Sequence, residues 1–232
     1  DLMRKGDAQK IAAMIFPELG LSAYAIDDLL FQDALLDRVE AAVAEIIAAS
    51  RELYPLVVVG APLRRRGQLF NCAIVIYRGA MLGIVPKTYL PNYREYYEVR
   101  QCSSGYGIRD AEIEIAGRSA PFGVDLLFES RGTVRFTAHV EICEDVWVPQ
   151  PPSTAAALAG AEILLNLSAS NITIGKAETR RLLCASQSGR CIAAYAYSAA
   201  GPGESTNDLA WDGHAAVFEY GNKLAELSLI HI

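Results

Sequence analysis

Short apolar runs that end at turn residues recur along this sequence, and they constrain its fold more than any other feature. Runs of this kind are typical of β-strands. They lie at residues 11–16, 56–59, 71–77, 80–85, 134–143, 163–167, 191–198 and 215–220. Arg78 and Gly79 separate two of these runs, which predicts a β-hairpin at that point.

Two longer segments show the spacing of apolar residues that is typical of an amphipathic helix. The first spans residues 29–53, with Asp27 and Asp28 where an N-cap is expected. The second spans residues 175–188, and a shorter helix is predicted over residues 153–158. Because strands alternate with helices early and late in the chain, with hairpins between, we expect an α/β fold in which helices cover a mixed sheet.

Composition narrows the possible partners and the cellular setting. The chain has 232 residues, 52% of them hydrophobic, which is enough for one sizeable core. Its net charge of -6 argues against a nucleic-acid partner or an anionic membrane surface. No apolar run has the length of a membrane helix, and the first residues lack the form of a signal peptide. Five cysteines without a CxxC pair indicate reduced thiols, a cytoplasmic setting and no zinc site.

Three reactive side chains each follow the end of an apolar run. These residues are Glu18, Lys87 and Cys143. Ligands gather where the strands of an open sheet end, so we expect one sheet to bring all three to one pocket. A thiol that attacks a carboxamide, a carboxylate that takes its proton and a cation that stabilises the oxyanion together suit acyl transfer. Each residue alone also fits an ordinary loop or core position, and only the combination favours catalysis.

Acidic neighbours surround the cysteine of this set. Glu141, Glu144 and Asp145 lie within two residues of Cys143. Nearby negative charge raises the pKa of a thiol because it disfavours the thiolate. A reactive Cys143 therefore needs a compensating cation, or a base that removes the proton during the attack.

The residues around these three side chains resemble the motifs of the carbon–nitrogen hydrolase (nitrilase) superfamily. The matching stretches are Phe-Pro-Glu-Leu at 16–19, Val-Pro-Lys-Thr-Tyr-Leu-Pro at 85–91 and Glu-Ile-Cys-Glu-Asp at 141–145. The resemblance implies a four-layer α-β-β-α sandwich, which we expect to be truncated at the N-terminus because only 15 residues precede the first motif. Ala23 stands where a glycine is common in the family, so we expect strain in that turn.

Three further stretches are similar to the glutaminase domain of glutamine-dependent NAD synthetases. They are Tyr-Arg-Glu-Tyr-Tyr-Glu at 93–98, Asn-Leu-Ser-Ala-Ser at 166–170, and residues 203–213 with Gly-Glu-Ser-Thr and Asp-Leu-Ala-Trp-Asp-Gly. The resemblance covers residues 1–226, which we expect to form a single carbon–nitrogen hydrolase domain. Residues 227–232 do not match the family pattern, and no synthetase domain is present in the sequence.

The resemblance implies a role for individual residues. Glu18 matches the general base, Lys87 the stabiliser of the oxyanion, Cys143 the nucleophile, and Glu98 a supporting glutamate. The residues that match the lining of the glutamine pocket are Tyr93, Glu144, Trp147, Ser170 and Lys176. The implied reaction releases ammonia from glutamine through a thioester and needs neither metal nor organic cofactor.

The resemblance also implies partners. In the family, the ammonia passes to a synthetase domain of the same full-length chain, which uses ATP and Mg²⁺ to aminate nicotinic acid adenine dinucleotide to NAD. Superfamily members assemble through the faces of the sandwich, so a homo-oligomer is expected.

Three other functions remain open from the sequence. The first is a stand-alone amidase or nitrilase that acts on another carboxamide. The second is an inactive fragment, and the third is a non-catalytic module for oligomerisation. The stretches at 166–176 and 203–213 favour the glutaminase over the first of these. The presence of Glu18, Lys87 and Cys143 together argues against a non-catalytic module.

Overall fold

Two six-stranded β-sheets pack face to face in the computed structural model, which describes residues 1–132 and 134–227. The first sheet contains β1 (Ala13–Ile15), β2 (Leu56–Arg65), β3 (Gln68–Tyr77), β4 (Ala80–Pro86), β5 (Ala111–Ile115) and β6 (Arg118–Phe122), in the order β1-β2-β3-β4-β6-β5. The second contains β7 (Phe128–Arg131), β8 (Arg135–Ile142), β9 (Ile163–Ser168), β10 (Ala194–Ala199), β11 (Ala215–Glu219) and β12 (Asn222–Glu226), in the order β12-β11-β10-β9-β8-β7.

Helices cover the outer face of each sheet. The helices are α1 (Leu2–Ala8), α2 (Asp33–Ala49), α3 (Pro152–Leu158) and α4 (Lys176–Cys191). Apolar residues of α2 pack against β2 and β3, and those of α4 pack against β9, β10 and β11. The layers therefore follow the order α-β-β-α, which confirms the fold class expected from the sequence.

Both faces of the central strands are buried, which explains their continuous apolar runs. On β2, Val57 and Val59 face outward and pack with Val43 and Ile47 of α2. Val58 points the other way, into the core between the two sheets, where residues of β8 and β9 also lie. Successive residues of a strand point to opposite faces, so a strand between two cores carries apolar side chains at every position.

The sheets place the three candidate catalytic residues at one end of the sandwich. β1 pairs in parallel with β2, and β8 pairs in parallel with β9. Glu18 follows β1 and Lys87 follows β4 in the first sheet, whereas Cys143 follows β8 in the second. The expectation that one sheet carries all three is wrong, because the site is assembled from two sheets that face each other.

Several predicted boundaries also differ from the structure. The predicted helix over 29–53 is a short 3-10 helix, Asp27–Phe31, followed by α2. Asp27 and Asp28 are not its N-cap, since α2 begins after Gln32. The two carboxylates instead accept hydrogen bonds from Tyr97 and Arg100 of a facing segment.

Strand predictions were more accurate in the core than at the edges. The predicted hairpin between 71–77 and 80–85 is confirmed as β3 and β4. The strand predicted over 11–16 is only Ala13–Ile15, and α4 continues into the start of the strand predicted over 191–198. β5, β6, β7 and β12 were missed, because each carries exposed polar residues that interrupt an apolar run. In residues 1–132 and 134–227, no helix has the length and apolarity needed to cross a membrane.

Replacement of Gly60 by alanine is expected to destabilise the protein by about 1–3 kcal/mol, because it overpacks a closely packed backbone. A Cβ at Gly60 would collide with the backbone N of Leu19 and would lie 2.6 Å from the backbone O of Pro17. Urea unfolding measures the change. Gly189→Ala is the matched control, since a Cβ there makes only ordinary contacts and alanine favours the helix. Equal stability of the two variants would contradict this account of Gly60.

Candidate active site

A buried lysine between two glutamates forms the centre of the site. The Lys87 ammonium donates hydrogen bonds to Oε1 of Glu18 and to Oε1 of Glu98, each at 2.6 Å. The side chains of Lys87 and Glu18 are fully buried, and that of Glu98 is 9% exposed. Burial by itself lowers the pKa of Lys87, but the two carboxylates outweigh it and raise that pKa above its usual value. Lys87 is therefore a fixed positive charge.

Both sheets hold the Glu18 carboxylate in place. Asn71 on β3 donates its Nδ2 hydrogen to Oε1 at 2.7 Å, and the backbone N–H of Ala169, just after β9, donates to Oε2 at 2.6 Å. The backbone N–H of Glu18 also donates to the Ser168 carbonyl at 3.3 Å. Because donors from three directions bind one carboxylate, Glu18 has little freedom to rotate.

Cys143 lies directly after β8, where the chain turns into a 3-10 helix, Cys143–Val146. Its φ of 45° lies in the left-handed region, where a residue with a Cβ is strained, and such strain is concentrated at functional sites. Burial raises the pKa of the thiol, the negative charge of Glu18 raises it further, and Lys87 opposes both. The raised pKa favours the neutral thiol of Cys143 over its thiolate.

Asp145 joins the cysteine turn to the segment that follows Lys87. Its Oδ2 accepts a hydrogen bond from the backbone N–H of Ile142, and its Oδ1 accepts one from the backbone N–H of Tyr89, both at 2.9 Å. Asp145 is buried, with 1% of its surface exposed. The contact with Tyr89 crosses from the second sheet to the first, and so ties the turn of Cys143 to the segment that follows Lys87.

Glu98 follows Lys87 in the chain and has a second donor besides it. The Tyr24 hydroxyl donates to Oε1 of Glu98 at 2.6 Å. Burial raises the pKa of Glu98 to about 7, although Lys87 and Tyr24 both act to lower it. Ala23, next to Tyr24, has a φ of 85°, which is the strained backbone that the sequence predicted for this turn.

A cavity of about 750 Å³ opens onto Cys143. Of the three candidate catalytic residues, Cys143 lines this cavity, and Glu18 and Lys87 do not. The residues predicted to form the substrate pocket all line this cavity together with Cys143: Tyr93, Glu144, Trp147, Ser170 and Lys176. The structure thus brings together residues that lie up to 83 positions apart in the chain.

The cavity offers charges of both signs. The Tyr93 hydroxyl donates to Glu144 at 3.0 Å, and burial raises the pKa of that carboxyl. The Lys176 ammonium lies over the Trp147 ring, 5.5 Å from its centroid, and burial lowers the pKa of the lysine. Ser170 is buried, and its hydroxyl has no hydrogen-bond partner among the described residues, so it is available to a ligand.

Sequence reasoning missed several residues that support the site. Asn71, Tyr24 and Asp145 were not assigned roles, although each binds a catalytic candidate or the backbone beside one. Asn71 had a detectable signal, since it is a polar residue beside a buried apolar run. Tyr24 had none, because its partner Glu98 lies 74 residues away. Asp145 lies within the cysteine motif, but its contact with Tyr89, 56 residues away, leaves no trace in the sequence.

The fold and this site define a class of α-β-β-α sandwich proteins that carry a buried Glu-Lys pair near a cysteine. The Carbon-nitrogen hydrolase family model matches residues 3–228, and the chain belongs to that family. A relative named glutamine-dependent NAD(+) synthetase, from Mycobacterium bovis, is 56% identical over 226 residues, which are 97% of this chain and 33% of the relative. The chain thus spans about a third of the length of the curated relatives it matches.

Solved structures show the same fold. A glutamine-dependent NAD(+) synthetase from Cytophaga hutchinsonii superposes with a TM-score of 0.85 at 24% identity, over 97% of this chain and 36% of that one. An amidase from Nesterenkonia sp. superposes with a TM-score of 0.73 at 19% identity, over 97% of this chain and 76% of that one. At these identities the likeness supports the architecture alone.

Asp145→Asn is expected to destabilise the protein by about 1–3 kcal/mol, because an amide keeps one acceptor oxygen and leaves a buried N–H unpaired. Thermal and urea unfolding measure the loss. Asp33→Asn is the control, since this carboxylate is 84% exposed and its ion pair with Arg64 is on the surface. An Asp145→Asn protein as stable as the Asp33→Asn protein would show that Asp145 does not hold the turn.

Proposed function

We propose that the protein is a glutamine amidohydrolase that releases ammonia from the side-chain amide of glutamine. The observation that carries the proposal is the shared cavity, in which Cys143 lies beside a carboxylate, Glu144, and an ammonium, Lys176. A zwitterionic amino acid requires groups of both signs at the end remote from its amide. The names of the similar proteins, glutamine-dependent NAD(+) synthetases, support the same substrate.

The first half of the reaction forms a thioester. The Cys143 sulfur attacks the amide carbon while its proton passes to Glu18, since the neutral thiol is the resting form. Lys87 stabilises the negative oxygen of the tetrahedral intermediate as a nearby fixed charge. The intermediate then collapses, the carbon–nitrogen bond breaks, and Glu18 returns the proton to the departing nitrogen, which leaves as ammonia.

The second half releases glutamate. A water molecule attacks the thioester carbon, Glu18 accepts a proton from that water, and the sulfur leaves and is reprotonated. Glu98 supports Lys87 throughout, because it supplies the second carboxylate at 2.6 Å from the ammonium.

We further propose that the ammonia is used by a synthetase domain that aminates nicotinic acid adenine dinucleotide to NAD. The similar proteins are about three times as long as this chain, which leaves room for such a domain in them. ATP and Mg²⁺ belong to that step. A cytoplasmic location and a homo-oligomer also remain proposals.

Cys143→Ala is expected to lower the rate of ammonia release from glutamine by about a thousandfold or more, because it removes the nucleophile. Lys87→Met and Glu18→Gln are expected to have nearly as large an effect, since the three residues act as a unit. A coupled assay for ammonia on the purified protein measures the rates. Cys191→Ala is the control, since this thiol lies at the end of α4 and outside the cavity lining.

The same assay separates the competing functions. Release from small aliphatic amides but not from glutamine would identify a stand-alone amidase. Release that persists in Cys143→Ala would exclude the proposed nucleophile. A folded protein that releases ammonia from neither substrate would favour the inactive fragment or the non-catalytic module.

Glu144→Gln and Lys176→Met are each expected to raise the KM for glutamine about tenfold or more, because each removes a charge-assisted contact with the substrate. Their effect on propionamide should be small, since that amide has no charged groups. Steady-state kinetics with both substrates measures the difference. Glu178→Gln, an exposed position on α4, is the control. An equal rise in KM for both substrates would show that the two residues shape the cavity without recognising charge.

A further inference from the structure

Glu204 joins the segment 201–213 to the turn that follows Glu18. Its Oε2 accepts a hydrogen bond from the backbone N–H of Tyr24 at 3.0 Å, and its Oε1 accepts one from the backbone N–H of Ala25 at 3.4 Å. The backbone N–H of Ser205 also donates to Oε1, at 3.0 Å. One carboxylate thus binds backbone groups of two segments that are 180 residues apart.

The same segment also holds the ring of Tyr24. The Trp211 ring packs edge-on against the Tyr24 ring, with centroids 5.7 Å apart, and the Trp211 indole donates to the Ser205 carbonyl at 2.6 Å. The Tyr96 ring also packs edge-on against the Tyr24 ring, with centroids 6.4 Å apart. With its backbone and ring both held, the Tyr24 hydroxyl is directed at Glu98.

We propose that Glu204 is a positioning residue for the amidase reaction: it holds Tyr24 so that the Tyr24 hydroxyl stays on Glu98, the partner of Lys87. This inference rests on the proposed function. The other oxygen of Glu98, Oε2, has no hydrogen-bond partner within residues 1–132 and 134–227. Tyr24 and Lys87 therefore stabilise this buried carboxylate through a single oxygen, and loss of Tyr24 leaves Lys87 alone to do so.

A hydrogen bond donated to a carboxylate favours its ionised form. Removal of the Tyr24 contact is expected to raise the pKa of Glu98 further, from its value of about 7. Glu98 then binds a proton at higher pH and loses its ion pair with Lys87. The acid limb of the pH profile of activity is therefore expected to shift to higher pH. The titratable groups that surround Glu98 are Lys87, Glu18, Tyr24, Cys102 and Cys143.

The test compares kcat, KM and the pH profile of ammonia release from glutamine for Glu204→Ala, Tyr24→Phe and the double variant. Both single variants are expected to lower kcat about tenfold or more while KM changes less, because the thiol's partners are displaced and the cavity is intact. Both should shift the acid limb of the profile to higher pH. The double variant should be no slower than the slower single variant, since the two residues act in series.

Thr206→Ala is the control, an exposed position on the same segment. A Glu204→Ala protein with the parent kcat and pH profile would overturn the proposal. So would losses that add fully in the double variant, or a loss of kcat that follows a lowered melting temperature without a shift of the acid limb. Cys143→Ala is measured in parallel. Activity that survives in this variant refutes the proposed function, whereas a Glu204→Ala protein with parent activity refutes only the role of Glu204.

Discussion

The site depends on one ammonium group buried between two carboxylates. An unpaired buried charge costs several kcal/mol, so Lys87 is stable in this position only because Glu18 and Glu98 both lie 2.6 Å from it. Burial raises the pKa of the nearby Cys143 thiol, the negative charge of Glu18 raises it further, and Lys87 opposes both.

Each of the two carboxylates also accepts hydrogen bonds from donors other than Lys87, and these donors come from distant parts of the chain. Asn71 and the backbone N–H of Ala169 bind Glu18, and the Tyr24 hydroxyl binds Glu98. Because Asn71 belongs to the first sheet and Ala169 follows a strand of the second, the Glu18 carboxylate is correctly held only when the sheets are packed together. This coupling links catalytic geometry to the integrity of the whole sandwich.

The candidate catalytic residues differ in whether they line the cavity. Cys143 lines the cavity, whereas Glu18 and Lys87 are enclosed in the protein and do not line it. Water is thereby kept from these charged groups, which strengthens the electrostatic interaction between them. Two polar groups that line the cavity, Glu144 and Lys176, are more exposed than Glu18 and Lys87. They differ in the sign of their charge, which suits the recognition of a small zwitterion.

The sequence by itself determined the class of fold, the central strands and the three reactive side chains, because these features are local: an apolar run, a helical spacing, a reactive residue after a strand. It also indicated the residues of the substrate pocket through short motifs, and the structure brings these to one cavity. Only the tertiary structure decided that two sheets build the site, and that Asp27 and Asp28 bind a facing segment and do not cap α2. It also decided the contacts of Tyr24 with Glu98, of Asp145 with Tyr89 and of Glu204 with the backbone of Tyr24. The physical reason is that a hydrogen bond between residues 56 to 180 positions apart leaves no periodic or local trace in the chain.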